Sequence, residues 1–200
     1  MKSLLLHFIR HGETAANTEG RYIGTTDLAL TMESADQLEK LSSEGIYPIS
    51  QQLYSSPLRR CLQTGILIYP EQNAIPVVNL AEYNFGDFEG KSGLELEGNQ
   101  EYADWISGKL SAPPNGESTK DFTVRICTGL RQIVEDMLTH NISSASVITH
   151  GGVIMSIFDA CALPRKRKFE WVCEAGHGYT VRITPSLYQS SGVIEVIDAF

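Results

Sequence analysis

The chain is poor in the features that would tie it to membranes, nucleic acids or a disulfide framework. No apolar run approaches the roughly 20 residues that span a bilayer. Lys and Arg number 16 against 24 Asp and Glu, a net charge of -8. That balance argues against nonspecific binding to nucleic acid or an anionic membrane. An anionic substrate stays possible, because a local Arg cluster can oppose the overall sign. The four cysteines, Cys61, Cys127, Cys161 and Cys173, are widely spaced and form no C-x-x-C pair. They read as small buried apolar residues of a reducing compartment, not as a disulfide framework or a zinc site. The N-terminus carries one Lys and a short apolar run, too little for a signal-peptide core, so the expected location is the cytoplasm. No internal repeat or low-complexity tract interrupts the 200 residues. One domain over 1–200 is expected, large enough to hold its own core.

What is present is an alternation of short apolar runs with helical patterns. Leu4-Leu5-Leu6-His7-Phe8-Ile9 reads as a strand buried on both faces. Residues 14–30 read as an irregular functional loop. Thr31 is a good N-cap for a helix running to Gly45, with Glu33 in its first turn. A second strand is expected within 46–55. Ser56 as cap and Pro57 as first helical residue open a second helix, with Leu58, Cys61, Leu62 and Ile66 on its apolar face. Pro76 to Leu80 reads as a third strand. Residues 83–117 read as a small lid rich in aromatics, acids and Gly. Phe122, Ile126, Leu130, Ile133, Val134 and Met137 recur at helical spacing from Ser118 or Thr119 to about 140. Ala145 to Thr149 is another buried strand, followed by an apolar helix from Val153. The last region, 168–200, alternates in the manner of an antiparallel hairpin or edge strands. The pattern predicts an α/β sheet with helices on both faces.

Three strand ends carry reactive residues: Arg10-His11-Gly12, then Arg60, then His150-Gly151-Gly152. Parallel strands would bring all three to one edge of the sheet, where open α/β sheets bind ligands. Glu82 ends the third strand at the same edge. A phosphoryl group suits this set. Arg forks match phosphate oxygens, neutral imidazole is a competent nucleophile, and a carboxyl group can protonate a leaving oxygen. Arg59 and Arg60 oppose the dipole of the helix they start, which makes sense beside a bound anion.

In chain order, Arg10-His11-Gly12-Glu13-Thr14 with Asn17, Ser55-Ser56-Pro57-Leu58 with Arg60 and Thr64, Leu80-Ala81-Glu82 with Phe85-Gly86, and Thr149-His150-Gly151-Gly152 together resemble the histidine phosphatase superfamily with its phosphoglycerate mutase branch. The resemblance implies a three-layer α/β/α fold around a mixed, mostly parallel sheet. It implies that His11 is a nucleophile forming a phosphohistidine, and that Arg10, Arg60 and His150 hold the phosphoryl group. Asn17 would assist, Glu82 would serve as general acid and then base, and no metal or other cofactor would be needed. Arg21 and Gly151 are further candidate substrate contacts. Glu82 to Gly90, Pro114 to Ser118 with Phe122 and Arg125, and the compact length look like the α-ribazole phosphatase branch, whose members remove a 5′-phosphate from the precursor of cobalamin's lower ligand. The implied partner is a small-molecule phosphate ester. The alternatives are a phosphoglycerate mutase, a broad-specificity sugar or small-molecule phosphatase, and a silent phospho-ligand binding module.

Other residues carry blander readings. Arg59 is read as a solvated cation, Glu13 as a loop or cap residue, and His7 as packed or hydrogen-bonded within its strand. His140 is read as a helix-end cation and His177 as structural. Tyr83, Phe85, Phe88 and Trp105 are read either as stacking partners for a heteroaromatic base or as the lid's own core. The oligomeric state is not read from the sequence.

Overall fold

The computed structural model describes residues 3–200; Met1 and Lys2, including the N-terminal Lys read above, lie outside the described residues. At its centre is β1 (Leu4–Arg10). It pairs in parallel with β4 (Ser144–Thr149), which pairs in parallel with β2 (Gln52–Ser55), which pairs in parallel with the short β3 (Ile75–Pro76). On its other side β1 meets β6 (Gly178–Ile183) antiparallel. Beyond β6 come β7 (Ile194–Ala199), antiparallel to β6, and β5 (Ala162–Leu163), parallel to β7. The sheet order is β3-β2-β4-β1-β6-β7-β5. Among the described residues β6 is thus the strand that runs against the rest. The expected mixed, mostly parallel sheet is the observed one.

Helices cover both faces. Successive strand residues point to opposite sides, and β1 uses this to feed two cores. Ile9 joins Leu38, Leu53, Cys61, Ile68 and Ile148 under α2 (Met32–Ser43) and α3 (Arg59–Ile68). Leu6 and Phe8 join Phe122, Ile126, Leu130, Ile154 and Phe158 under α5 (Thr119–Thr139) and α6 (Gly151–Cys161). Burying each such side chain contributes about 1.5–3 kcal/mol, so the layers are held along the whole length of β1. His7 is satisfied within the sheet, with ring nitrogens 2.9 Å from Thr180 Oγ1 and 3.1 Å from Ser144 Oγ. Short helices α1 (Ala15–Thr18), α4 (Gln100–Ile106) and α7 (Pro185–Ser191) complete the set.

Thr31 and Ser118 cap α2 and α5 as their chemistry predicts, each side-chain oxygen accepting a hydrogen bond from the backbone N–H three residues on. Elsewhere the structure corrects the sequence reading. The helix after β2 begins at Arg59 with Leu58 as its N-cap, so Ser56 and Pro57 lie before it. The Ser56 hydroxyl is instead 2.8 Å from a ring nitrogen of His150. Ile66 faces solvent, and the buried face of α3 runs through Arg60, Cys61, Thr64, Gly65 and Ile68. The third strand stops at Pro76, and Val78–Leu80 coils into a 3-10 turn. A Leu80 side chain buried under α5 outweighs strand pairing there. Of the two expectations, hairpin or edge strands, neither holds in full: β6 and β7 are antiparallel neighbours, but α7 stands between them in the chain and β5 takes the sheet edge. Thr184-Pro185 starts that helix and Gly192, at φ 70°, ends it.

Candidate active site

The carboxyl ends of β1 and β4 meet through a backbone bond, His11 N–H to the Thr149 carbonyl at 2.9 Å. This places His11 and His150 side by side, ring centroids 5.0 Å apart and edge to face. Both are buried. Burial, reinforced by the charges of Arg60 and Arg10 and opposed by a hydrogen bond to Gly12, takes the His11 pKa down to about 3. Burial, with His11 and the neighbouring arginines, holds His150 well below the ordinary value as well. Both imidazoles are therefore neutral near pH 7.

The tautomer of His11 follows from its partners. Nδ1 faces the Gly12 carbonyl, which can only accept, so Nδ1 carries the proton. Nε2 is left with a lone pair, and Arg60 Nε–H donates to it at 3.2 Å. The rest of the Arg60 guanidinium is bound by backbone carbonyls, Nη1 to Thr26 at 2.9 Å and Nη2 to Gly24 at 2.8 Å. A side chain on Gly24 would overlap the Tyr83 carbonyl, so only glycine fits that approach. The Gly12 N–H is held by Thr64 Oγ1 at 3.0 Å.

Arg10, His11, Asn17, Glu82 and Gly151 line a cavity of about 200 Å³. Arg10 leans over the N-terminus of α6 beside Gly151, its Nη1 fixed by the Cys173 carbonyl at 2.8 Å. Asn17 Oδ1 accepts from both the N–H and the hydroxyl of Thr14, so its amide nitrogen is the group left free to donate. The dipole and free N–H groups of a helix start favour an anion here. Arg60 meets His11 at its Nε2 edge and His150 packs against its ring, both just outside the residues that line this cavity.

Glu82 lies beyond the 3-10 turn that replaces the expected strand end. Its Oε1 accepts from Tyr83 N–H at 2.8 Å and its Oε2 from Gly152 N–H at 3.0 Å. Burial raises its pKa, against the pull of those bonds and of Arg60 and Arg125. Glu82, Ile23, Gly152 and Met155 also form the wall of a second, larger cavity of about 560 Å³. Tyr22, Tyr83, Phe85, Trp105 and Phe122 line that space. These aromatics pack on one another, Tyr22 on Phe85 at 5.1 Å and Tyr83 on Phe122 at 5.2 Å. Phe88 belongs to the packing behind them, 5.5 Å from Tyr102. Tyr22, Tyr83, Phe85, Trp105 and Phe122 thus pack on one another and also line the cavity, whereas Phe88 is part of the lid's core alone.

Other sequence candidates fall outside the cluster. Arg21 sits on the rim of the larger cavity, its guanidinium engaged by Glu19, Glu95 and the Gly90 carbonyl. His177 lines neither cavity, His140 ends α5 exposed, and Arg59 and Glu13 are exposed. Among the described residues no group of three or more His, Cys, Asp and Glu side chains is arranged to hold a metal. Sequence reasoning missed the carbonyls of Gly24 and Thr26 and the Ser56 hydroxyl beside His150. Ser56 lies in the Ser55-Ser56-Pro57-Leu58 motif, where the Ser-Pro pair locally signals a helix cap.

Two imidazoles, two guanidiniums and a buried carboxyl at the carboxyl edge of a mostly parallel sheet define a phosphoryl-transfer enzyme. The chain belongs to the histidine phosphatase superfamily (branch 1), whose model matches residues 6–187. It is 31% identical over 156 residues to adenosylcobalamin/alpha-ribazole phosphatase of Escherichia coli, covering 74% of this chain and 74% of that one. It is 30% identical over 164 residues to 2,3-bisphosphoglycerate-dependent phosphoglycerate mutase 2 of Gloeobacter violaceus, covering 76% and 73%. The crystal structure of alpha-ribazole phosphatase from Shigella flexneri superposes with a TM-score of 0.79 at 23% identity over 97% of this chain and 95% of that one. The enzyme is a phosphatase of this family, without a membrane-spanning helix among its described residues.

Proposed function

We propose that the enzyme hydrolyses a small phosphate monoester whose leaving group is a heteroaromatic nucleoside, with α-ribazole 5′-phosphate as the favoured substrate. The observation that carries this reading is the position of Glu82 in the wall shared by the two cavities. The smaller cavity fits a phosphoryl group among Arg10, His11, Asn17 and Gly151. The larger, aromatic-walled one fits a ring-bearing alcohol, and the carboxyl stands where the bond between them would break.

In the first step His11 Nε2 attacks phosphorus and the ester P–O bond breaks. Glu82, protonated, gives its proton to the departing oxygen. As the N–P bond forms, the Arg60 Nε–H that rests on Nε2 turns to a phosphoryl oxygen. Arg10, the Asn17 amide and the start of α6 balance the charge of the equatorial oxygens. In the second step Glu82, now a carboxylate, takes a proton from water, which attacks phosphorus and returns the Nε2 lone pair. His150, neutral, packs on the edge of His11. We read 83–117 as the lid of this site and the free thiols as fitting the cytoplasm.

A phosphoglycerate mutase is the second reading, favoured by the Gloeobacter relative's name. Against it, 3-phosphoglycerate is small and anionic. The Arg21 guanidinium on the cavity rim is already engaged by two carboxylates.

The test is phosphate release from α-ribazole 5′-phosphate, 3-phosphoglycerate, phosphoserine and ribose 5-phosphate, with alkaline quench to trap label on His11. The expected result is highest kcat/KM on α-ribazole 5′-phosphate and label lost in His11→Gln. Isomerisation of 3-phosphoglycerate without free phosphate would favour the mutase. Binding without turnover across the panel would leave a phospho-ligand binding module.

A further inference from the structure

Glu89 is an acid the mechanism does not use, yet it is the most heavily hydrogen-bonded carboxylate near the site. Its Oε1 accepts from the N–H groups of Thr25 at 3.0 Å and of Phe85 and Gly24, each at 3.1 Å. Its Oε2 accepts from Gly24 N–H at 3.1 Å, Thr26 N–H at 3.3 Å and the Thr26 hydroxyl at 2.6 Å. Burial works against the charged form, but these donors outweigh it and hold the carboxyl below its usual range. An ionised carboxylate is acceptor-only, with about four lone-pair directions to offer, and residues 24–26 and Phe85 fill them.

The same short loop faces the other way through its carbonyls. Gly24 and Thr26, whose N–H groups end on Glu89, present their C=O groups to Arg60 Nη2 and Nη1. The third edge of that guanidinium, Nε–H, meets His11 Nε2. A guanidinium is planar, so fixing two corners fixes the third. The loop's other ties lie at its far end, where Asp27 Oδ1 accepts from Arg59 N–H at 2.6 Å and Leu30 N–H donates to Gln63 Oε1 at 3.0 Å. Residues 22–30 contain no regular element, and residues 25–27 are exposed. Two backbone bonds, Tyr22 N–H to Lys91 O at 2.9 Å and Gly90 N–H to Tyr22 O at 2.8 Å, tie its start to the chain just after Glu89.

We propose that Glu89 is a positioning residue for catalysis: through the loop 24–26 it sets the orientation of Arg60 against the nucleophilic nitrogen of His11. The relay runs from carboxylate to loop N–H groups, from loop carbonyls to guanidinium, and from guanidinium to imidazole. Its catalytic consequence rests on the phosphohistidine reading above, but its geometric consequence does not. Replacing the carboxylate by an amide puts a donor where the loop offers only donors. The loop then shifts, its carbonyls leave Arg60, and the Nε–H contact to His11 is lost. A misplacement of about 1 Å in such an array costs about 10²-fold in rate.

The experiment compares wild type, Glu89→Gln, Arg60→Lys and the double variant as full-length protein labelled with ¹⁵N-histidine. The Nε2 resonance of His11 is assigned by its loss in His11→Gln. In Glu89→Gln it is expected to move toward the position of an imidazole nitrogen without a hydrogen bond. The kcat/KM for phosphate release is expected to fall about 10²-fold in Glu89→Gln. In the Arg60→Lys background the same change should cost less than about 3-fold, because coupled residues are non-additive. An unmoved Nε2 resonance, or losses that simply multiply, would overturn the proposal. Should Glu89→Gln fail to fold, Thr26→Val removes one donor to the carboxylate and must shift the same resonance in the same direction. If the wild type releases no phosphate from any ester, the functional reading falls, while the resonance comparison still decides whether Glu89 positions Arg60.

Discussion

Gly152 and Glu82 are fitted to each other. The Gly152 N–H donates to Glu82 Oε2 at 3.0 Å, and a Cβ on Gly152 would stand 2.5 Å from Oε1. The second glycine of His150-Gly151-Gly152 therefore exists at the distance the carboxyl requires. A Gly152→Ala variant must push the carboxyl out of the wall between the cavities. The expected outcome is a fall of about 10²-fold in kcat with the melting transition retained. Steady-state kinetics and a thermal melt check it, and an alanine variant with full turnover would mean the carboxyl is not needed where it stands.

Glu82 should matter in proportion to how poor the leaving group is. Glu82→Gln is expected to slow release from an alkyl phosphate by about 10²- to 10⁴-fold. With p-nitrophenyl phosphate, whose leaving group departs unprotonated, the first step should be nearly unaffected and phosphoenzyme should accumulate. Burial raises the Glu82 pKa, so wild-type kcat/KM should decline as pH rises through that value. In Glu82→Gln this limb should vanish. Equal losses on both substrates would remove Glu82 from the role of acid.

The buried histidines predict the direction of the pH dependence of stability. In the unfolded chain His11 and His150 take up a proton near 6.5, whereas in the fold His11 does so only at about 3 and His150 well below 6.5. Below pH 6.5 the unfolded state therefore binds more protons, and stability drains away as pH falls toward 3. Glu82, with its raised value, acts in the opposite sense over the carboxylate range. Urea midpoints at pH 7.5 and pH 5 should show the loss, and it should shrink in His11→Gln. A midpoint independent of pH in this window contradicts neutral burial of the pair.

The aromatic cavity should act on binding more than on chemistry. Trp105 lines it and packs 5.8 Å from Tyr22 and 6.0 Å from Phe85. Trp105→Ala is expected to raise KM for α-ribazole 5′-phosphate by about tenfold, in keeping with base–aromatic stacking of about 1–3 kcal/mol. For ribose 5-phosphate, which has no base, KM should barely move. A uniform change for both substrates would show that the aromatic wall serves only to support the fold.

Residue type and position alone made much of this protein legible. The run Leu4 to Ile9 could be read as a two-faced strand because it is apolar without alternation. Arg10-His11-Gly12, Arg60 and His150-Gly151-Gly152 could be read as one site because parallel strands put their ends on one edge. What the sequence left open were the parts played by the other acids. Glu82 stands out by its place at an expected strand end and by the family resemblance, but no local pattern gives Glu13, Asp87 and Glu89 their roles. The tertiary structure does so by contact: Glu82 enters the cavity wall, Glu89 holds the 24–26 loop, and Glu13 and Asp87 face solvent. Ser56 looked like a helix cap because Ser-Pro is a local signal, yet its partner His150 lies 94 positions away. Local propensity operates over a few residues. The strand after Tyr69, the role of Ser56 and the tautomer of His11 are decided by groups brought in from other elements, and only the folded chain supplies them.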